Sequence, residues 1–473
     1  MRSSKYDARM WVPRTAKLSC AIAAALLMTA CVNLAPDYQR PALPVPASLP
    51  SAAAGPTIAQ PAWRDLVRDE RLRTVVDKAL VANRDLRVAL LNVERSRAQL
   101  QISNADRWPT LSAGLTGSRS PNSNGDQTTV LQAGLQLSSY EIDVFERLRN
   151  TSVAAQATLL GNEAAGRSAR LSLVTQTVGT WLTLAADEEQ LALARRTLAT
   201  REQTEELTSL RARLGAASEL ELRTVQTLTA QSRSTLAQLQ RQRAQDLNAL
   251  NLLVGDSLPA ADLPGQAAVA DAGWLAEVPA GASSDLLLAR PDVIQAEQGL
   301  IGANANIGAA RAAMFPRLSL SGSFGQVSDT LSGLVNSGTT AWTLGASALL
   351  TVFDYGRNQA NVRVSELNRD VAVAQYEKAV QTAFREAADG LQGQSEWRRQ
   401  VLAQQDLLEA ERVRNRLTRL RLEVGAAGLT DMLDAERSLA AAEQALVQAR
   451  LGELLNRLAL YKALGGEETR PAS

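Results

Sequence analysis

NQANVRVSELNRDVAVAQYEKAVQTAFREAADGLQGQSEWRRQVLAQQDLLEAERVRNRLTRLRL, from Asn358 to Leu422, contains no proline and reads as one uninterrupted helix. A second stretch of the same kind runs from near Asn150 to Arg213, and no proline occurs between Pro121 and Pro259 or between Pro316 and Pro471. At 1.5 Å of rise per residue, a helix of about 64 residues is a rod of roughly 100 Å. Helices of ordinary globular enzymes are several times shorter, so a rod of this length needs other rods to pack against along its length.

The text on either side of the two rods repeats. Asn104-Ala105-Asp106-Arg107-Trp108-Pro109-Thr110-Leu111 matches Arg311-Ala312-Ala313-Met314-Phe315-Pro316-Arg317-Leu318, and Asp85 stands 24 positions before Pro109 as Asp292 stands 24 before Pro316. Gly215 precedes Gly255 by 40 positions, and Gly425 precedes Gly465 by 40. Two copies of one structural unit therefore sit in tandem, joined by a Pro/Gly/Ala/Ser-rich connector. The chain divides into a leader (1–30), an N-terminal segment (31–62), a first repeat (63–255), a connector (256–284), a second repeat (285–466) and a short tail (467–473).

Each repeat reads alike. A helix of about 25 residues (Asp85–Arg107, Pro291–Met314) stops at an aromatic-Pro pair, and two short strands lead into the long helix. A turn of small residues follows, Gly215-Ala216-Ala217-Ser218 or Gly425-Ala426-Ala427-Gly428, and a return helix ends at Gly255 or Gly465 as a glycine C-cap would. The return helices are rich in alanine, as in Ala440-Ala441-Ala442, and carry heptad-like apolar positions such as Leu222, Val225, Leu236 and Leu239.

The strands alternate. Leu111, Ala113 and Leu115 interleave with Ser112, Gly114 and Thr116; Leu131, Ala133, Leu135 and Leu137 with Gln132, Gly134, Gln136 and Ser138. Leu318, Leu320 and Phe324 interleave with serines, while the fourth strand, Trp342 to Leu350, alternates less cleanly because Leu349 intrudes. Apolar-out, polar-in segments of about 10 residues suit a lipid-facing barrel with a wet lumen, and also a half-buried soluble hairpin. Four strands cannot close a barrel, and open edges are not tolerated in hydrocarbon, so a membrane reading requires oligomerisation. Two copies would give eight strands and a filled interior; three would give twelve and a lumen.

Arg2, Lys5, Arg9, Arg14 and Lys17 form a basic leader before a short apolar core, Leu18 to Ala30. It ends Leu27-Met28-Thr29-Ala30-Cys31, which resembles a bacterial lipoprotein box with Cys31 as the acylated residue; plain signal-peptidase cleavage is the alternative. There is no aspartate directly after Cys31, which by lipoprotein sorting patterns favours the outer membrane. The chain holds no histidine, one cysteine beyond the leader and no Gly-Lys dipeptide. A metal site, a Ser-His or Cys-His dyad and a P-loop are therefore not expected, and neither is enzymatic activity or any cofactor. A net charge of +1 makes no case for nucleic acid.

Together these residues resemble the TolC family of outer-membrane efflux proteins, in its OprM-like lipoprotein branch. The likeness is carried by Leu34-Ala35-Pro36-Asp37-Tyr38-Gln39-Arg40-Pro41, Asn83-Arg84-Asp85-Leu86-Arg87-Val88, Tyr140-Glu141-Ile142-Asp143-Val144-Phe145 and Leu433-Asp434-Ala435-Glu436-Arg437-Ser438. The resemblance implies a mainly α fold with a small transmembrane β part. In a homotrimer the four strands of each chain would complete a twelve-stranded β-barrel in the outer membrane of a Gram-negative bacterium, continued by a periplasmic α-barrel. It implies a passive exit duct, with a periplasmic adaptor and an inner-membrane pump of the resistance–nodulation–division type as partners, and outer-membrane lipid around Cys31. The turns at Gly215, Ala216, Ala217 and Ser218 and at Gly425, Ala426, Ala427 and Gly428 match the family's adaptor-contacting tips; tight helix reversal explains small residues there equally. By the same likeness a periplasmic gate falls at Thr430 and Asp434, with Leu429 able to substitute for Thr430 as a hydrophobic ring and Asp431 in the same first turn; Arg419 and Arg421, about one turn before the tip, are the expected partners of Asp434. The other reading is that Asp431 and Asp434 complement the dipole of the helix after Gly428. Export of proteins by a type I system, or a pore-less lipid-anchored coiled coil, are the competing functions.

Overall fold

The computed structural model describes residues 32–46, 49, 62–121, 125–265, 269, 272–278, 284–336 and 338–466. The leader, Cys31 and the tail after residue 466 lie outside them. The described elements run α1 (Trp63–Leu66), α2 (Glu70–Ala82), α3 (Arg84–Ala105), β1 (Leu111–Pro121), β2 (Gln127–Ile142), α4 (Arg147–Arg213) and α5 (Glu219–Val254), then α6 (Pro291–Ala312), β3 (Arg317–Ser328), α7 (Gly333–Asn336), β4 (Thr339–Leu349), α8 (Arg357–Glu423) and α9 (Leu429–Ala463). Helices α4 and α8 are both 67 residues long, slightly longer than the sequence suggests.

Two compact units share these elements, and each draws on both repeats: the described residues within Met1–Pro41, Glu94–Gly161 and Glu297–Ala374 form one, and those within Ala42–Val93, Asn162–Ala296 and Gln375–Ser473 the other. The first unit carries a four-stranded antiparallel sheet in the order β1-β2-β3-β4. Its register lines the apolar positions up in rows. Leu111, Leu137, Gly322 and Leu344 form one row, and Ala113, Leu135, Phe324 and Trp342 the next. These side chains are solvent-facing within the single chain; Phe324 is 60% and Trp342 71% exposed. The opposite face carries hydroxyls and amides that bond one another: Ser319 to Ser347 (2.8 Å), Ser323 to Thr343 (2.7 Å) and Gln132 Nε2 to Ser323 Oγ (3.2 Å). On the apolar side, one row beyond Phe324 and Trp342, Gln326 Nε2 donates to Thr340 Oγ1 (3.0 Å). A bulge between Leu137 and Tyr140, with Ser139 at φ 42°, inserts one extra residue into β2. A single insertion swaps the faces of all that follows, so Tyr140 and Ile142, of the opposite parity to Leu137, stay on the apolar side. They pair with Leu320 and Leu318 there.

The second unit holds the main core. Trp181, Tyr376 and Tyr461 are its largest fully buried side chains, with Leu66, Leu72 and Leu250 around them. Trp181 meets Trp274 edge-on at 5.1 Å and donates to the Asp262 carbonyl (3.1 Å), so the connector is stitched to α4. A short antiparallel bridge, Val67 to Leu275, ties the same connector to the end of α1. The two repeats close on themselves in matching ways. Asn83 Nδ2 donates to the Leu253 carbonyl at the end of α5 (2.8 Å), and Arg290 Nη1 donates to the Ala463 carbonyl at the end of α9 (2.7 Å). Arg290 is buried and further held by Asp292 (2.7 Å) and Glu386 (2.8 Å), which supply the charge that a buried guanidinium needs.

Gly134 and Gly325 face each other across β2 and β3, and a Cβ on either would overlap the backbone of the other strand. Gly114, one strand away, has open space around it. Gly134→Val is expected to destabilise the sheet by about 1–3 kcal/mol or more and to cut the yield of assembled protein, whereas Gly114→Ala leaves it intact. Membrane fractionation with heat-modifiability on gels reads both.

Candidate functional site

Helices α4 and α8 end in the same backbone motif. The Ala216 N–H donates to the Arg211 carbonyl (2.8 Å) and the Gly215 N–H to that of Ala212 (3.1 Å); Ala426 to Arg421 (2.8 Å) and Gly425 to Leu422 (3.1 Å) repeat the pair. This is the 6→1, 5→2 reversal that needs a left-handed residue, and Gly215 (φ 72°) and Gly425 (φ 74°) provide it. Arg211 and Arg421 then fold over the turn onto the carbonyls of Ala216 (3.4 Å) and Ala426 (3.0 Å). The next helix starts differently in each copy. Ser218 and Glu221 make a full capping box (3.1 and 2.7 Å), while Gly428 has no side chain to offer and only its N–H reaches Asp431 Oδ2 (3.0 Å). Around these turns the apolar side chains are left outward: Leu214 is 75%, Leu220 77% and Val424 78% exposed.

One turn into α9 the structure gathers charge. Asp434 accepts from Arg414 Nη2 (2.7 Å) and from Arg437, and Arg414 also bonds Glu411 (3.1 Å). The hydrogen bond to Asp434, followed by the charge of Glu411, raises the Arg414 guanidinium above its ordinary value. The sequence expectation paired Asp434 with Arg419 and Arg421; the structure does not. Arg421 lies nearer the turn and spends its donor on the Ala426 carbonyl, while Arg419 approaches Glu436 (3.7 Å). Five residues on a helix turn a side chain by about 140°, which takes Arg419 off the face that Arg414 presents. Asp431 is the helix cap just described, and Thr430, beside half-buried Leu429, is exposed on the first turn of α9. Arg414 and Arg437 were missed because nearness to the turn is a poor guide to helix facing. The signal that finds them lies in the repeat: 210 positions earlier, Arg414, Asp434 and Arg437 correspond to Thr204, Thr224 and Thr227.

Behind the cluster sits a buried cation. Arg201 of α4 is 4% exposed, lies 3.0 Å from Glu436 and donates to the Leu433 carbonyl (3.3 Å). Desolvation pushes its guanidinium below its ordinary value, and the charge of Glu436 opposes this. Among the described residues no group of three or more His, Cys, Asp and Glu is placed to hold a metal ion, and no helix is long and apolar enough to cross a membrane.

Cys31 lies outside the described residues, but the chain just after it is tightly held. The Val32 N–H donates to the Val144 carbonyl at the foot of β2 (3.3 Å), and Asn304 Nδ2 of α6 donates to the Pro36 carbonyl (2.6 Å). Glu297 receives Arg40 through both oxygens (2.7 and 3.0 Å) and the Tyr38 hydroxyl (3.0 Å).

A strand pair, a long helix and a return helix, all present twice, make a tandem-duplicated chain, and comparison with known proteins gives its class. The family model described as "Outer membrane efflux protein" matches residues 75–256 and 282–466. The chain is 39% identical over 457 residues to the solvent efflux pump outer membrane protein SrpC of Pseudomonas putida, covering 93% of this chain and 97% of the relative. It is 37% identical over 450 residues to the cation efflux system protein CusC of Escherichia coli K12, covering 93% and 97%. The crystal structure of the open state of the MtrE outer membrane channel of Neisseria gonorrhoeae superposes with a TM-score of 0.83 at 35% identity, over 92% of this chain and 98% of that one. The chain belongs to the outer membrane efflux protein family. Its fold is the tandem-duplicated TolC-like fold, and it is an outer-membrane exit duct for efflux.

Arg201→Ala leaves Glu436 with only the distant Arg419, and removal of one partner of a buried pair costs about 3–5 kcal/mol. The variant should unfold at distinctly lower temperature, followed by the helical circular-dichroism signal, and Glu436→Gln in the same chain should recover part of the loss.

Proposed function

We propose that three copies of this chain assemble into a duct through which drugs, solvents or other organic small molecules leave the cell. They are driven by an inner-membrane pump, of the resistance–nodulation–division type, that is joined to the duct by a periplasmic adaptor. The observation that carries the reading is the sheet, with apolar rows that cross all four strands on one face, bonded hydroxyls and amides on the other, and edges β1 and β4 unpaired among the described residues. Such a sheet suits lipid on one side and water on the other, and three copies give twelve strands and a lumen where two would give a filled interior. Exposed apolar residues recur at equivalent places at the ends of both long helices, Leu207 and Leu210 on α4 with Leu214 just past it, and Leu417 and Leu420 on α8 with Val424 just past it, which supports lengthwise packing against neighbouring copies.

Further assignments belong to this proposal. Cys31 is acylated; a single chain would hold marginally, so multiple acylation is expected, beside a segment whose first described residue is already bound to the foot of β2. The small-residue turns Gly215–Ser218 and Gly425–Gly428 receive the adaptor, since their own side chains are no larger than a methyl or hydroxymethyl group and exposed apolar residues, Leu214, Leu220 and Val424, flank them. Asp434, with Arg414 and Arg437, holds the periplasmic aperture narrow. Relatives named for solvents and for cations match almost equally well, so identity does not choose a cargo. A chain with no histidine and five methionines offers soft metal ions few ligands, which favours organic cargo.

Native mass spectrometry in mild detergent tests the assembly: a trimer is expected, and a strictly monomeric folded protein would overturn the reading. In planar bilayers Asp434→Ala and Arg414→Ala should raise open probability on the order of a few-fold, as loss of partly exposed ion pairs allows. Thr224→Ala, the matching position in the first repeat, should leave conductance unchanged.

A further inference from the structure

The duplication supplies an internal control for buried chemistry. Residues Arg147 to Gly255 map onto Arg357 to Gly465 with a constant shift of 210 positions. At one level of the two hairpins, outside the strands, the copies are filled in opposite ways. In the second, the Trp397 indole lies against Gly452, so close that a Cβ there would overlap the ring, and Asn456 Nδ2 donates to the Gly390 carbonyl (3.1 Å). In the first, the corresponding residues are Asp187, Gln242 and Asp246. Asp187 is 2% exposed; its Oδ1 accepts from Gln242 Nε2 (3.1 Å), and its Oδ2 is buried with no donor to meet it. What faces Asp187 is the carboxyl of Asp246, which donates only when it carries a proton. Of the surrounding charges, Glu188 adds to the repulsion and Arg243 offsets it only in part. Arg243 of α5 is bound to Glu188 of α4 (2.5 Å), and Glu189 of α4 faces Arg450 and Glu443 of α9 and Arg196 of its own helix.

We propose that Asp187 and Asp246 are a proton-sharing carboxyl pair that makes the α4–α5 contact of the first repeat a pH-responsive joint, closed while one proton lies between them and loosened when it leaves. Two ionised carboxylates facing each other repel, the more strongly because Asp187 itself is almost wholly buried. Burial, then the hydrogen bond and charge of Asp246, push Asp187 from 3.8 up to about 7. The sign follows. The closed joint holds a proton that an opened one releases, so its stability is fully present below the ordinary carboxylate range. That stability is lost as pH rises to about 7 and is flat above it. The second hairpin fills this level with an indole and an amide, which do not titrate. The fold therefore does not require the acid pair.

Hydrogen–deuterium exchange of the full-length protein in detergent, near pH 5.5, 6.5 and 7.5 and corrected for intrinsic exchange, tests the joint. Peptides covering 180–194 and 239–250 should open up to about tenfold more readily per pH unit up to neutrality, while 390–404 and 449–460 should not. Asp187→Asn keeps the shape without the charge and should hold the first hairpin closed at every pH; it should also remove a protonated-carboxyl infrared band. Asp246→Asn serves the same purpose should the first variant misfold. Equal pH responses in both hairpins, no response in either, or a response that survives both substitutions would overturn the proposal.

Discussion

A backbone amide without a partner in hydrocarbon costs several kcal/mol, and the sheet of this chain ends in two strands, β1 and β4, whose outer edges pair with no other strand among the described residues. Much of the first unit can be understood from that constraint. The apolar rows run across all four strands without a break, so no strand can be withdrawn from lipid separately from its neighbours. The hydroxyl ladder on the other face binds itself, so that face tolerates water without needing it. The close approach of Gly134 and Gly325 lets β2 and β3 come together where a side chain would force them apart. The assembly proposed above answers the remaining demand, because another copy offers the complementary edge.

The long helices obey a second constraint. Inserting one residue into a helix turns everything beyond it by about 100°, so a rod that packs along its whole length cannot gain or lose single residues. The two 67-residue helices, the two five-residue turns and the two return helices keep one register from Arg147 to Gly255 and from Arg357 to Gly465. The ends of the hairpins are tied down in equivalent places by different chemistry, an amide from Asn83 and a guanidinium from Arg290, each on the carbonyl that closes its return helix. Geometry was held while side chains diverged.

That explains what could be read from the sequence. Helix extent, turn positions and the duplication are properties of pattern and spacing, and they survive in one dimension. The strands were legible as alternation up to Leu137, where the bulge reverses the parity; Tyr140 and Ile142 then look misplaced until the extra residue is seen. The partners of Asp434 depend on which way a helix faces at its last turns, and sequence distance from Gly425 pointed to Arg419 and Arg421 instead of Arg414. Asp187 stands in the run Ala186-Asp187-Glu188-Glu189, which reads as a solvated helix face; only packing shows that its first acid is buried.

Divergence between the copies also sorts which charges the fold needs. Where two equivalent positions carry the same chemistry and make the same bond, the bond belongs to the architecture. Arg211 and Arg421 both cover the turn carbonyls, and Glu221 and Asp431 both cap the helix that follows. By this criterion the Asp431 cap belongs to the architecture. Asp434, Arg414 and Arg437 have threonines opposite them in the first repeat, where the same backbone stands without their charges, so helix packing alone does not demand them. The buried acids Asp187 and Asp246, matched by an indole and an amide, satisfy the same test in the opposite copy. The charges that the architecture could do without thus lie at different levels of the two hairpins, which leaves each hairpin its own means of changing how tightly it is held.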